Sequence, residues 1–240
     1  PSGVFSDRYG RKPTLVVSTV SLVIAYGLFF VSSSFLPFAF AQMFLAIGIS
    51  FNSGTDTSLH FDSLADLKRK KEYGKREATV SKFTFYAGAM GSLLGGLVGI
   101  INPRFAYFLA FLTSIGALVI VLQMTEPYIH KHKIYHTERI GDGIKHLVQK
   151  LKIPIVKYIF LFYVLITILN HIPYEFYQPY IKDLLSRTDF RESNTPLLTG
   201  LHAAMTMMVA SIFASNSIRL RDRFGLHGIF FLAAAVQTLT

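Results

Sequence analysis

The sequence contains no cysteine, and only 16% of its residues are charged. The first absence excludes disulfides and leaves the redox compartment unread. The second excludes an ordinary soluble domain, where charged residues run near 25%. Proline opens the chain where an initiator Met would stand, and no signal peptide follows. Nucleotide-binding loops, nucleophile elbows and zinc motifs are also missing, so no cofactor is expected. His130, His132 and His136 lie close together. They lack further ligands nearby, so no metal site is expected.

What the chain has is 51% hydrophobic residues, gathered into long runs. A helix rises 1.5 Å per residue, so about 18 to 20 apolar residues cross a bilayer core. Seven crossings are predicted, at 14–31, 37–61, 80–101, 105–124, 155–177, 197–216 and from about 228 onward. Ser32-Ser33-Ser34, Asn102-Pro103 and Glu126-Pro127 punctuate them. The fold class is therefore all-α and membrane-spanning, with the lipid bilayer as the main partner.

The net charge of +10 sits between the apolar runs and not on one surface, which argues against a nucleic-acid partner. Seven crossings place 20 of the 24 Lys and Arg residues on the side of Arg8, Arg11 and Lys12. Only Arg104, Lys182, Arg187 and Arg191 fall on the other side. That imbalance is the positive-inside rule, and it puts the first side in the cytosol. In the longest inside connector, Ile140, Ile144, Leu147, Val148 and Leu151 recur at helical spacing beside Arg139, Lys145, His146 and Lys150. This predicts a basic amphipathic helix on the inner membrane surface, with a solvated linker helix as the alternative.

The sharpest local pattern is Gly3-Val-Phe-Ser-Asp7-Arg8-Tyr9-Gly10-Arg11-Lys12. A tight inside loop between two apolar helices calls for these residue types. Gly3 permits close helix approach, and Gly10 permits a turn with positive φ. Asp7 suits the positive end of a neighbouring helix. Arg8, Arg11 and Lys12 hold the loop inside and can pair with acids at other helix ends, for which Asp62 and Asp66 are the candidates. The pattern resembles the G-x-x-x-D-R-x-G-R-K signature of the major facilitator superfamily. Asp222-Arg223-Phe224-Gly225 echoes it 215 residues later, with Ile218 and Leu226 departing from the pattern. That is similar to the weaker copy in the second half of family members.

The resemblance implies a twelve-helix carrier working by alternating access, not an enzyme. It numbers the segments here as helices three to nine, and both ends of the chain read as cut. Residues 1–124 then belong to an N-terminal six-helix bundle, 125–154 to the cytoplasmic connector, and 155–240 to the C-terminal bundle. The loop cluster is implied to be a conformational latch, closed in the outward-facing state. A monomer in a plasma (inner) membrane is expected.

Three further sets of residues are candidates. Gly88, Gly91, Gly95, Gly96 and Gly99 line one predicted helix, and small residues let backbones approach in lipid. The run Gly91-Ser92-Leu93-Leu94-Gly95-Gly96 resembles the G-P-x-x-G-G motif of the family's proton-coupled drug antiporters, with Ser92 in place of proline; plain close packing is the other reading. Gln42, Asn52, Asp56 and His60 fall within about 80° on a continuous helix, as ionisable or polar groups facing a cavity do. Asp56 is a candidate proton carrier or a structural hydrogen-bond acceptor. Asn170, His171, Glu175, Tyr177 and Gln178 surround Pro173 and Pro179, which predict a broken helix lining a cavity. An aromatic belt at the outer interface is the alternative. The expected function is transport of a small solute, coupled to H+. The alternatives are an uncoupled facilitator and a non-transporting sensor or scaffold on the same fold.

Overall fold

A computed structural model describes residues 2–128, 149–187 and 192–239, with side chains excluded at 170–175, 192, 226–227 and 229–239. Every regular element described is helical. They are α1 (Ser2–Tyr9), α2 (Arg11–Val31), α3 (Phe35–Asn52), α4 (Thr55–Asp66), α5 (Tyr73–Ile101), α6 (Pro103–Gln123), α7 (Pro154–Ser186) and α8 (Thr195–Leu239). A short 3₁₀ turn, Lys70–Glu72, leads into α5, and another precedes α8.

Five spans are long and apolar enough to cross a membrane: Arg11–Val31, Phe35–Asp66, Lys70–Ile101, Pro103–Gln123 and Thr195–Gly225. They coincide with five of the seven crossings expected. In α7 the apolar part, Pro154–Leu169, is shorter. The last expected crossing begins beyond Gly225, where α8 bends. The amphipathic helix expected around 139–151 and the three histidines of that connector lie outside the described residues, save its last positions.

Local chemistry explains the boundaries. Asn102 caps α6 by accepting from the Arg104 N–H at 2.9 Å, and Pro103 occupies the first helical turn, where a missing N–H costs nothing. Ser32 closes α2 through its backbone N–H and its hydroxyl, both donating to the Leu28 carbonyl.

Two expectations about helix continuity need correction. The segment expected as one helix at 37–61 is broken: α3 ends at Asn52, and α4 starts after Gly54, whose φ of 78° is left-handed. Glycine alone adopts that conformation cheaply, and it redirects the chain. Conversely, α7 runs unbroken through Pro173 and Pro179. Each proline removes one donor, and the surrounding backbone bonds carry the helix across.

Small and hydroxylated residues bring α2 against its neighbours. Ser18 donates to the Gly48 carbonyl at 2.7 Å, joining α2 to α3. A Cβ on Gly48 would stand 2.7 Å from Leu22 Cδ2. Towards the other end, Phe29 meets Phe38 edge to face at 4.7 Å and stacks on Tyr107 at 5.1 Å, tying α2, α3 and α6 together. Near the first end, Leu15, Leu59 and Val121 form the buried cluster of α2, α4 and α6. Phe35, Leu94, Leu112, Ile120 and Phe213 are exposed. In lipid such faces carry no penalty, so the spans can be covered by acyl chains.

Candidate functional site: a charge cluster at helix ends

Gly10 separates α1 from α2 with φ 103° and ψ 165°, the positive-φ turn expected from the sequence. The turn leaves the N-terminus of α2 with unsatisfied backbone donors and a partial positive charge. Glu126, just beyond α6, supplies the anion. Its two carboxylate oxygens accept the N–H groups of Arg11 and Lys12, each at 2.7 Å. Lys12 Nζ in turn donates to the Leu122 carbonyl at 2.8 Å, one of the orphan acceptors at the end of α6. Helix start and helix end thus satisfy each other across 110 residues or more of sequence.

Arg11 is the hub. Its Nη1 lies 2.8 Å from Asp7 Oδ1 and donates to Ser6 Oγ at 2.8 Å. Its Nε reaches Asp62 Oδ2 at 3.3 Å. The Arg11 side chain is only 14% exposed and that of Asp62 17%, whereas Asp7 is 59% exposed. The Arg11–Asp62 arm is therefore the more strongly coupled one, because it is the better shielded from water. Asp66 accepts the backbone N–H of Tyr128. One guanidinium and three carboxylates at helix ends (Asp62, Asp66 and Glu126) fasten α1, α2, α4 and the chain after α6.

Several expectations are met here and others are not. Arg11 pairs with Asp62, as expected. Asp66 instead takes a backbone donor after α6. Asp7 does not sit at a helix start, because Glu126 occupies the nearest one; it pairs with Arg11. Gly3 has no atom within 4 Å of its would-be Cβ, so it makes no close approach among the described residues. Arg8 lies over the Tyr9 ring at 5.3 Å. In the second copy, Arg223 lies over Phe224 at 5.6 Å, and Gly225 has φ 65° and ψ 173°. Among the described residues Asp222 pairs with the adjacent Arg221, at 3.1 Å. Glu126 was missed in the sequence. The signal was an acid at the end of an apolar run, which reads simply as a helix stop.

The glycines of α5 divide into two groups. A Cβ on Gly96 would stand 2.7 Å from the Pro196 carbonyl oxygen, and one on Gly200 would stand 2.8 Å from Gly96 Cα. Gly99 abuts Pro196 and Gly88 abuts Met207. Ser211 donates to the Lys82 carbonyl at 3.0 Å, extending the same α5–α8 contact. Gly91 and Gly95 have nothing within 4 Å and do not share in this packing. The Ser92 carbonyl lies against Gly200.

The break at Gly54 separates Gln42 and Asn52, exposed on α3, from Asp56 and His60 on α4. The single 80° face expected for these residues does not form. Asp56 sits in the first turn of α4 and accepts the Thr57 N–H at 2.7 Å, where a helix start favours an anion. His60 Nδ1 lies 2.8 Å from Glu77 Oε2, and its ring stands 5.5 Å from that of Tyr73, joining α4 to α5. Tyr177 of α7 stacks on His202 of α8 at 4.5 Å, and Gln178 is exposed. The side chains of Asn170, His171 and Glu175 lie outside those described. Among the described residues, no group of three His, Asp or Glu side chains could hold a metal.

No curated protein and no solved structure matches the chain. The comparison with protein families matches all of it, residues 1–240, to the Major Facilitator Superfamily. With its apolar spans and its Gly10–Arg11 turn, the chain belongs to that superfamily, and it is a multi-pass membrane protein of solute transport.

Proposed function

We propose that the carrier to which this chain contributes works by alternating access as a proton-coupled secondary transporter. The observation that carries the reading is the Arg11-centred cluster. It ties four helix ends together at the cytosolic face through a few charge-assisted bonds, which are strong when shielded and lost together when water enters. Such a cluster stabilises one end state and can be released without unfolding a helix. The intimate α5–α8 contact through Gly96 and Gly200 supports a pivot between an N-terminal bundle, residues 1–124, and a C-terminal one, residues 155–240. The acceptors for H+ in this reading are Asp56 and Glu175, with a small solute as cargo. A monomer in the plasma (inner) membrane accompanies it.

The test is solute accumulation in proteoliposomes under an imposed pH gradient. Accumulation should collapse when an uncoupler dissipates the gradient, and persistence would remove the coupling. One observation favours a second reading, the uncoupled facilitator: Asp56 is already engaged by the start of its own helix, as a static structural acid would be. Asp56→Asn with Glu175→Gln separates the two. A facilitator keeps downhill exchange and shows no loss of accumulation, because it has none. A coupled carrier loses accumulation alone.

A further inference from the structure

The connector between α4 and α5 and the first turn of α5 hold six cations within nine residues: Lys68, Arg69, Lys70, Lys71, Lys75 and Arg76, all of them exposed. Three acids lie nearby in the sequence, Asp66, Glu72 and Glu77, and each is engaged; Asp66 accepts the Tyr128 N–H. Glu72 accepts Arg69 through two bonds, at 2.6 and 2.7 Å, and Arg76 at 3.1 Å. Glu77 is held by His60. Lys70 lies over the Phe61 ring at 5.7 Å. Among the described residues no carboxylate stands within ion-pair distance of Lys68, Lys71 or Lys75. The local surface is therefore strongly positive and not self-neutralised.

A second observation is conformational. Lys68 has φ +57° and is the one non-glycine residue with positive φ among the described residues. The Arg69 N–H bonds to the Leu64 carbonyl at 2.7 Å, and that of Lys68 to Ala65 at 3.0 Å. This is the pair of bonds that ends a helix with a left-handed residue, a place glycine usually fills. A lysine there is strained, whereas glycine would close the same turn at no such cost. Leu67 beside it is 65% exposed, and Phe61 is 40% exposed. Cations and exposed apolar side chains are thus mixed at the ends of two membrane spans.

We propose that this connector is a docking surface for anionic phospholipid headgroups of the inner leaflet. Lys68, Lys71 and Lys75 would meet the phosphates, while Leu67 and Phe61 reach the acyl boundary. A soluble phosphate would satisfy the cations and leave the apolar pair in water, so lipid is the occupant that fits both. The inference is independent of proton coupling.

Native mass spectrometry of the full-length protein, titrated with phosphatidylglycerol or phosphatidylcholine, tests it. Each juxtamembrane lysine is worth about fivefold in binding to an anionic surface. Lys71→Gln with Lys75→Gln should weaken phosphatidylglycerol binding by about 25-fold and leave phosphatidylcholine binding unchanged. Lys68→Gly should weaken it by about fivefold even though it relaxes the backbone, and Lys71→Arg with Lys75→Arg should restore it. If the double glutamine variant does not fold, Lys68→Gly decides alone. Wild-type phosphatidylglycerol affinity in the folded variants would overturn the proposal. So would full displacement of the lipid by inorganic phosphate at matched concentration.

Discussion

Replacing Gly10 by alanine should destabilise the protein by about 3–5 kcal/mol, and the structure separates that figure into two parts. The first is backbone strain. At φ 103° and ψ 165°, Gly10 lies in a region that is almost exclusively glycine's, and a side chain there costs about 1–3 kcal/mol. The second runs through a neighbour. The new methyl would stand 2.8 Å from Glu126 Oε1 and 3.0 Å from its Cδ, so the carboxylate must retreat. Retreat stretches the bonds from the Arg11 and Lys12 N–H groups. Glu126 is only partly buried, and water replaces part of what is lost, which leaves about 1 kcal/mol for each bond. Equilibrium unfolding in SDS of Gly10→Ala, Glu126→Gln and the double variant measures both parts. The double variant should fall short of additivity by about 1 kcal/mol, because the amide has already surrendered part of the interaction. A cost below about 1 kcal/mol for Gly10→Ala would refute the strain assignment, and strict additivity would refute the route through Glu126.

Gly96→Val should prevent tight α5–α8 packing at a cost of about 2–4 kcal/mol, since the clash is with backbone that cannot move aside. Gly91→Ala, with open space at its Cβ, should stabilise α5 by about 0.5–1 kcal/mol, and the same unfolding titration reads both. Arg11→Gln should cost about 2 kcal/mol and raise labelling of a cysteine introduced at Ser6, in a chain with no native cysteine to interfere. In neutral detergent Lys68→Gly should gain about 1 kcal/mol by relaxing a left-handed residue, the opposite sign to its effect on lipid binding. An unchanged unfolding midpoint would remove the strain argument for Lys68.

The helical architecture was legible because lipid enforces it: long apolar runs must become helices, and cationic connectors must stay inside. The Arg11–Asp62 pair was legible for a related reason. A buried guanidinium at a helix end needs an acid, and few acids were within topological reach. Glu126 escaped notice because its role depends on α6 ending beside the start of α2, a tertiary fact with no local sequence signal. The break in the fourth segment escaped for the opposite reason. Its cause, Gly54, is local, but one glycine among several gives no sign of which will take positive φ. The α5 glycines show the same limit. Spacing marked five of them as packing residues, yet Gly91 and Gly95 have open space where a Cβ would stand, and only the partner helix reveals it.

The second copy of the turn shows what of the motif is backbone and what is chemistry. Gly225, like Gly10, combines a positive φ with an extended ψ, and Arg223 covers the ring after it much as Arg8 covers Tyr9. Geometry has therefore been kept. The hub has not: the position after the glycine is Arg11 in the first copy and Leu226 in the second. Asp222 is left with the adjacent Arg221, both exposed, a pair of little energetic consequence. A glycine turn between two crossings is needed wherever a short loop joins them, so it is retained for folding alone. A shielded guanidinium that ties several helix ends together is a separate matter, because its partners must come from other helices. Installing an arginine at position 226 should accordingly leave folding unchanged, and it should not by itself create a second cluster, because the turn supplies Arg11 with Asp7 alone, while Asp62 comes from α4 and Glu126 from the end of α6.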